Sequence, residues 1–150
     1  FTSKGFEHYE ISNFAMPGCK CVHNLNYWNR GDYIGAGAGA HSFINGIRSK
    51  NTENIDSYIK DMTAGTIPET DSLNITQTDA AKEFIFLGLR KIEGIRTAEL
   101  KMLVLNIADS CMNLIDEGYL EIRYGYLRLT RKGLTVSNMV IVSIFNKSGL

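Results

Sequence analysis

Two hydrophobic rhythms run along the chain. Between residues 6 and 11, Phe6, His8 and Glu10 alternate with Glu7, Tyr9 and Ile11, a short strand of weak polarity contrast. Pro17-Gly18 then predicts a turn. Tyr33 to Ala40 is small and apolar and reads as a buried strand that ends in a glycine-rich loop. From residue 53 to 64 the period changes: Ile55, Tyr58, Ile59 and Met62 recur at helical spacing, and Gly65 supplies a stop. The stretch 66–75, TIPETDSLNI, is polar, contains Pro68 and has no helical period. It divides the chain into residues 1–72 and 73–150.

The second half is patterned more clearly. Thr76 and Asp79 have the spacing of a capping box. Behind them Ala81, Phe84, Ile85, Leu89 and Ile92 form one apolar helical face, with Gly94 as its end. Thr97 is placed to cap a short helix carrying Leu100 and Leu103. A third helix sets Ile107, Cys111, Leu114 and Ile115 on one side and stops at Gly118. In YLEIRYGYLRLT, Leu120 and Ile122 alternate with Glu121 and Arg123, and Leu127 and Leu129 flank Arg128. Tyr124-Gly125 between them predicts a β-hairpin. A last helix is expected from about Leu134 to Phe145. Three helices, a hairpin and a closing helix make a winged-helix arrangement.

Composition narrows the function classes. The chain has 150 residues, 44% hydrophobic and 21% charged, ordinary for a globular protein able to bury a core. Sixteen basic residues cancel sixteen acidic ones, which leaves no overall footprint for nucleic acid or anionic membrane. Residues 73–150 hold ten basic and eight acidic side chains. The helix that a winged-helix protein would offer to DNA, about Ile107 to Glu117, carries Asp109, Asp116 and Glu117 and no lysine or arginine. Carboxylates repel phosphates, so no nucleic-acid partner is expected. Apolar runs such as Met139 to Val142 fall far short of the ~20 residues that span a bilayer. Three cysteines, Cys19, Cys21 and Cys111, make no disulfide framework and point to a reducing cytosol. The opening Phe1-Thr2-Ser3, without an initiator methionine, suggests a piece of a longer protein.

Three stretches carry candidate chemistry. Gly35, Gly37, Gly39 and Ala40 formally satisfy the dinucleotide pattern G-x-G-x-x-G/A. That pattern needs a helix after it to hold the pyrophosphate, and HSFINGIRSKN offers none. What remains is close backbone approach to a ligand or tight packing of a strand end, and the residues alone favour packing. Cys19, Cys21 and His23 fall on alternate positions and on a strand would share one face. Structural zinc wants a fourth ligand, and none is near, so small strand residues are the better reading and no metal site is assigned. In HNLNYW, His23, Asn24, Tyr27 and the only tryptophan, Trp28, lie within six positions. One reading is a packed Tyr-Trp pair with a satisfied histidine. The other is contact with a flat aromatic ligand, imidazole to ligate and the rings to stack.

The stretches YEISNFA, HNLNYW and GDYIGAGAGAHS together resemble the radical-SAM proteins related to oxygen-independent coproporphyrinogen III oxidase, and among these the haem-chaperone branch. LGLRKIEGI, LIDEGYLEI, LRLTRKGL and SNMVI extend the resemblance over nearly the whole chain. It implies α/β plus α+β architecture, with the end of an incomplete (β/α) radical-SAM barrel in residues 1–72 and a winged-helix-like domain in 73–150. It implies a [4Fe–4S] cluster and S-adenosylmethionine in the parent molecule. The C-x-x-x-C-x-x-C loop that holds such a cluster has no counterpart here, so the chain by itself is expected to carry no cluster, no catalytic residue and no radical activity.

In the same family H-N-x-x-Y-W is associated with haem chaperones, and it matches at His23, Asn24, Tyr27 and Trp28. The resemblance therefore implies haem binding and transfer to haem-accepting proteins, with Gly35, Gly37, Gly39 and Ala40 turned toward a cofactor cavity. It also implies a cytoplasmic location that extends to the membrane periphery. Oxidative decarboxylation of a porphyrinogen propionate through a 5′-deoxyadenosyl radical is the alternative activity. A purely structural module whose acidic third helix docks on the barrel or a partner is the third.

Overall fold

The computed structural model describes residues 1–103 and 107–148, and the side chains of all of these except 69–70, 101–103, 107–110 and 147–148. The chain is mixed α/β and separates into two compact units, residues 1–30 with 81–150, and residues 31–80.

In the first unit, a turn of 3₁₀ helix (Thr2–Lys4) leads into β1 (Glu7–Glu10), which pairs antiparallel with β2 (Asn13–Ala15). The expected alternation along β1 is interrupted at its end, where Tyr9 and Glu10 are both buried. The Glu10 carboxylate accepts from the Ser12 backbone N–H (3.2 Å) and from the Asn13 amide, which satisfies a charge that is only 2% exposed. Pro17-Gly18 turns as expected, with Gly18 at φ +80°. The chain then forms α1 (Val22–Trp28). Cys19, Cys21 and His23 therefore do not share a strand face: the two cysteines precede the helix, exposed, and His23 lies within it. Alternation of three residues was too short to distinguish strand from helix.

From residue 77 the elements follow in the order α3 (Gln77–Gly88), β6 (Ile95–Arg96), α4 (Thr97–Leu103), α5 (Ile107–Asp116), β7 (Leu120–Arg123), β8 (Tyr126–Leu129), α6 (Arg131–Leu134) and α7 (Ser137–Ser148). The Thr76 half of the capping box forms, its hydroxyl accepting from the Asp79 backbone N–H at 3.1 Å, while the same hydroxyl donates to the Asp79 carboxylate at 2.7 Å. α3 ends at Gly88, before Gly94, because the chain turns there to bring Leu89 into the core and lay β6 along β8. A Cβ on Gly88 would lie 2.5 Å from Ile95 Cγ1, so glycine lets the Ile95 side chain pack this closely on the end of α3.

Thr97 does not cap α4. It is the first helical residue, and its hydroxyl donates to the Gly125 carbonyl at 3.0 Å. The expected faces of α4 and α5 are buried at Leu100, Cys111 and Leu114; Leu103, Ile107 and Asp109 have side chains outside those described. The β7–β8 hairpin forms in register, with Leu120 opposite Leu129 and Ile122 opposite Leu127. Tyr124 (φ +52°) and Gly125 (φ +79°) make the left-handed pair that such a two-residue turn requires. The single closing helix is divided: Thr130 caps the short α6 through Gly133 N–H, and α7 begins afresh at Ser137. The three strands run β6-β8-β7. Ile85, Leu89, Ile95, Leu114, Leu120, Leu127, Leu129, Val140, Ile141 and Ile144 fill one core beneath them.

The second unit is a three-stranded antiparallel sheet, β3 (His41–Ile44), β4 (Ile47–Asn51) and β5 (Glu69–Asn74), with α2 (Ile55–Thr63) between β4 and β5. Two expectations are corrected here. Tyr33 to Ala40 is a loop and not a buried strand: only Tyr33 bridges Phe43, Ile34 is 80% exposed, and the glycines bend the backbone away from a ladder. Within the polar stretch 66–75, residues 69–74 are a strand that pairs with β4, since tertiary pairing overrides a sequence without apolar alternation. β3 and β4 are joined by Asn45-Gly46 at φ +51° and +79°, a hairpin turn whose Asn-Gly signature lay in the sequence. α2 spans the expected residues and is capped by the Asn54 side chain (2.9 Å to Ser57 N–H), but Ile55, Ile59 and Met62 are exposed.

Candidate functional site

The H-N-x-x-Y-W residues make up most of α1, a seven-residue helix too short to be stable by propensity alone. Its C-terminal end is fixed by three contacts. The Arg90 guanidinium lies over the Trp28 ring at 5.5 Å and over Phe86 at 4.4 Å. The Asn29 side-chain amide oxygen Oδ1 accepts from the Lys91 ammonium at 2.7 Å. Arg30 Nε pairs with the Glu83 carboxylate at 2.8 Å, both side chains about four-fifths covered. Its N-terminal end is open: Cys21 caps it without a side-chain bond, and Val22 and His23 are exposed.

The motif is thereby divided within one helix. His23 and Tyr27, four residues apart, meet edge to face with ring centroids at 4.7 Å and an interplanar angle of 83°. Asn24 and Tyr27 are half-buried, while Trp28 belongs to the anchored end. The Trp28 indole N–H is buried and meets no acceptor among the described residues. An exposed imidazole steadied by a phenol is positioned to meet a ligand. A tryptophan held beneath a guanidinium is positioned to hold the helix. Nothing in the sequence marked Arg90 for this; it follows a helix end, where a basic residue is commonplace.

Gly35 to Ala40 form a loop that is bonded within its own unit. The Gly35 N–H donates to Ser42 Oγ (3.0 Å), that of Gly37 to the Tyr58 hydroxyl (3.1 Å), and that of Gly39 to the Thr52 carbonyl (2.9 Å). The Asn51 amide donates to the carbonyls of both Gly35 (3.1 Å) and Gly37 (2.9 Å). A Cβ on Gly35 would lie 2.2 Å from the His41 carbonyl oxygen, and Gly37 has φ +113°. Close backbone packing thus accounts for Gly35 directly. Ser42 and Asn51, and Tyr58, which the sequence marked only as part of a helical period, are the residues that shape the loop.

Among the described residues no group of three histidines, cysteines or carboxylates is arranged to hold a metal ion. Cys19 and Cys21 are exposed, and Cys111 is buried on α5, where burial pushes its thiol up to about 11. This donor set does not fit an iron–sulfur cluster. No helix among the described residues is long and apolar enough to cross a membrane.

Residues 75–136 match the HemN C-terminal domain. The heme chaperone HemW of Escherichia coli (strain K12) is 32% identical over 149 residues, covering 93% of this chain and 38% of that protein. The heme chaperone HemW of Bacillus subtilis (strain 168) is 42% identical over 91 residues, 61% of this chain and 24% of that protein. Among solved structures, the radical SAM enzyme coproporphyrinogen III oxidase (HemN) from Escherichia coli superposes with a TM-score of 0.70 over 99% of this chain and 38% of its own, at 14% identity. That likeness establishes the fold. The chain spans 24% of the length of the Bacillus relative and 38% of that of the Escherichia coli one. By sequence the chain is HemW-like, and its residues 75–136 match the HemN C-terminal domain.

Proposed function

We propose that this chain contributes to haem binding and transfer to haem-accepting proteins, with His23 and Tyr27 as the haem-contact pair. The observation that carries the reading is the exposed imidazole of His23 set against Tyr27 at the open end of a helix whose other end is anchored. Imidazole is a strong neutral ligand for haem iron, and a phenol ring beside it offers a flat face to a porphyrin. The relatives named heme chaperone HemW support the same activity. Trp28 acts in this reading by holding the helix, which leaves iron or propionate contact to His23.

On the same reading, residues 1–72 end a radical-SAM barrel and 73–150 form a winged-helix-like domain. The element order from α3 to α7 and the strand order β6-β8-β7 support the latter. The exposed Asp116 and Glu117 at the end of α5 suit a protein partner better than DNA. A [4Fe–4S] cluster and S-adenosylmethionine belong to the whole molecule, in which Gly35, Gly37, Gly39 and Ala40 face the cofactor. Their N–H groups are largely engaged, so exposed Ala36 and Ala38 are the loop's outward positions.

The test is haemin titration followed by Soret absorbance. His23→Ala is expected to weaken haem retention about tenfold or more and shift the Soret band, with unchanged circular dichroism. Cys21→Ser is expected to do much less. An unaltered affinity and spectrum for His23→Ala would make the motif structural and end the haem reading at this helix.

A further inference from the structure

The chain contains a single Asn-Gly step, Asn45-Gly46, and no Asp-Gly step. It forms the two-residue turn between β3 and β4, with both residues at positive φ and Asn45 exposed. Two bonds tie the turn to the rest of its unit. The Asp32 carboxylate accepts from the Asn45 backbone N–H at 3.1 Å, and the Gly46 carbonyl accepts from the Ile75 N–H at 2.9 Å. Two groups of the turn are left over. Neither the Asn45 side-chain amide nor the Gly46 N–H is hydrogen-bonded to another of the described residues. A Cβ on Gly46 would meet no atom of the described residues within 4 Å, so the glycine is uncovered as well.

Those two groups can react with each other. The Asn45 amide carbon Cγ is an electrophile, and the Gly46 nitrogen becomes a nucleophile once base takes its proton. Joining them closes a five-membered imide. A side chain on the following residue crowds that closure, and glycine has none. Every other asparagine in the chain precedes a residue with a branched, aromatic or long side chain. The exposed Asn13 and Asn54 are also engaged, Asn13 in donating to Glu10 and Asn54 in capping α2. Ring closure at Asn45 needs the turn to open, and the tip of a hairpin is where opening costs least.

We infer that Asn45 is a site of spontaneous deamidation and isoaspartate formation. The bond from Gly46 N to Asn45 Cγ forms and the Asn45 Cγ–Nδ2 bond breaks. Nδ2 leaves as ammonia, carrying the proton that Gly46 gives up. Water then adds to one of the two imide carbonyls. Opening at Cγ gives aspartate. Opening at the Asn45 backbone carbonyl gives isoaspartate, whose main chain runs through Cβ and is longer by a methylene group. A two-residue turn fits its strands at one length only, so isoaspartate pulls the Gly46 carbonyl away from Ile75 and disturbs the pairing of Ile44 with Ile47. β4 is the middle strand of its sheet, and Ile47 also pairs with Asn74 of β5, so both ladders of the second unit meet this turn. The site uses neither His23 nor Tyr27 and stands or falls separately from the haem reading.

The test is incubation of the full 150-residue chain, folded, in mildly alkaline buffer, then trypsin digestion and mass spectrometry. Residues 31–48 leave trypsin as one peptide in which Asn45 is the sole asparagine and glutamine is absent, so exchange of an amide for an acid there belongs to Asn45. That peptide is expected to convert about tenfold faster or more than any other asparagine-bearing peptide. Isoaspartate is the expected major product, identified by its methylation with an isoaspartyl methyltransferase. In the converted chain the Ile75 amide is expected to exchange about tenfold faster or more than in the fresh chain. Freshly purified Asn45→Asp, which adds the charge without lengthening the backbone, is expected to keep that amide protected. An unconverted 31–48 peptide in the folded chain would overturn the proposal, and its conversion in urea would then show that the turn shields Asn45. Conversion no faster than at Asn13 or Asn54, or aspartate without isoaspartate, would overturn it too. Unchanged Ile75 exchange in a chain that holds isoaspartate would refute the consequence drawn for the sheet.

Discussion

The two units are held by different physics. In the first, a single apolar core spans α3, α5, α7 and the β6-β8-β7 sheet, with Leu89, Val140 and Ile144 wholly inaccessible to water. In the second, Phe43 is the one large side chain among the described residues that is deeply buried, while Ile34, Ile55, Ile59, Met62, Ile67 and Leu73 are more than half exposed. What fixes the second unit is the ladder of β3, β4 and β5 together with polar clamps, Asn51, Ser42 and Tyr58, that close its glycine loop. Apolar burial is non-directional and tolerates many sequences; a clamp depends on single donors and acceptors. The first unit is a core that positions a helix end. The second is a scaffold built around one loop.

The largest effect that would sharpen this contrast is a core truncation. Ile85→Ala removes buried methylene groups from a residue 1% exposed and is expected to cost about 2–5 kcal/mol, lowering the denaturant midpoint for the first unit. Leu73→Ala, at a residue 63% exposed, is the matching change in the second unit and is expected to alter stability by less than about 0.5 kcal/mol. Urea unfolding followed by circular dichroism compares them. Equal losses would mean that the second unit has an apolar core after all.

The converse experiment removes a clamp. Asn51→Ala deprives the Gly35 and Gly37 carbonyls of their shared donor and is expected to cost the second unit about 1–3 kcal/mol. Amide exchange at Gly37 and Gly39 should quicken, while the amides of α7 keep their protection. If the loop amides remain protected, the backbone bonds of Gly39 to Thr52 and Asn51 to Ala40 suffice without the side chain.

The same contrast explains what was legible in the sequence. Ala81, Ile85, Leu89, Leu114 and the alternating Leu127 and Leu129 announced a helical and hairpin core, because burial imposes periodicity. The Thr76–Asp79 box and the Tyr124-Gly125 turn were readable for an equally local reason. β5 was not, since its pairing depends on β4 and leaves no apolar alternation of its own. Neither was the Asn51 clamp, which joins residues 14 and 16 positions apart. At the candidate site the motif supplied the residues, but neither the helix they form nor its division. That His23 and Tyr27 share an edge follows from helical spacing, which the Cys19, Cys21 and His23 alternation had concealed. That Trp28 is taken up by Arg90 depends on a residue 62 positions away.

The smallest expected effect tests the reading of α2. Ile55, Ile59 and Met62 recur on one side of this helix and are 65%, 56% and 53% exposed, so their apolar stripe contributes little to the stability of the second unit. Ile59→Ser removes a mostly hydrated side chain and introduces a hydroxyl that water can satisfy. The change in unfolding free energy is expected to stay within about 0.5 kcal/mol, since a surface substitution away from caps and clamps loses little. Serine is a somewhat poorer helix former than isoleucine only within the scatter of such scales, so propensity adds nothing decisive. The Asn54 cap, which does fix α2, is untouched by the change. Urea unfolding of the variant beside the parent chain measures the difference. A loss above about 1.5 kcal/mol would place the stripe against apolar surface in solution, and the second unit would then owe its stability to burial as the first does.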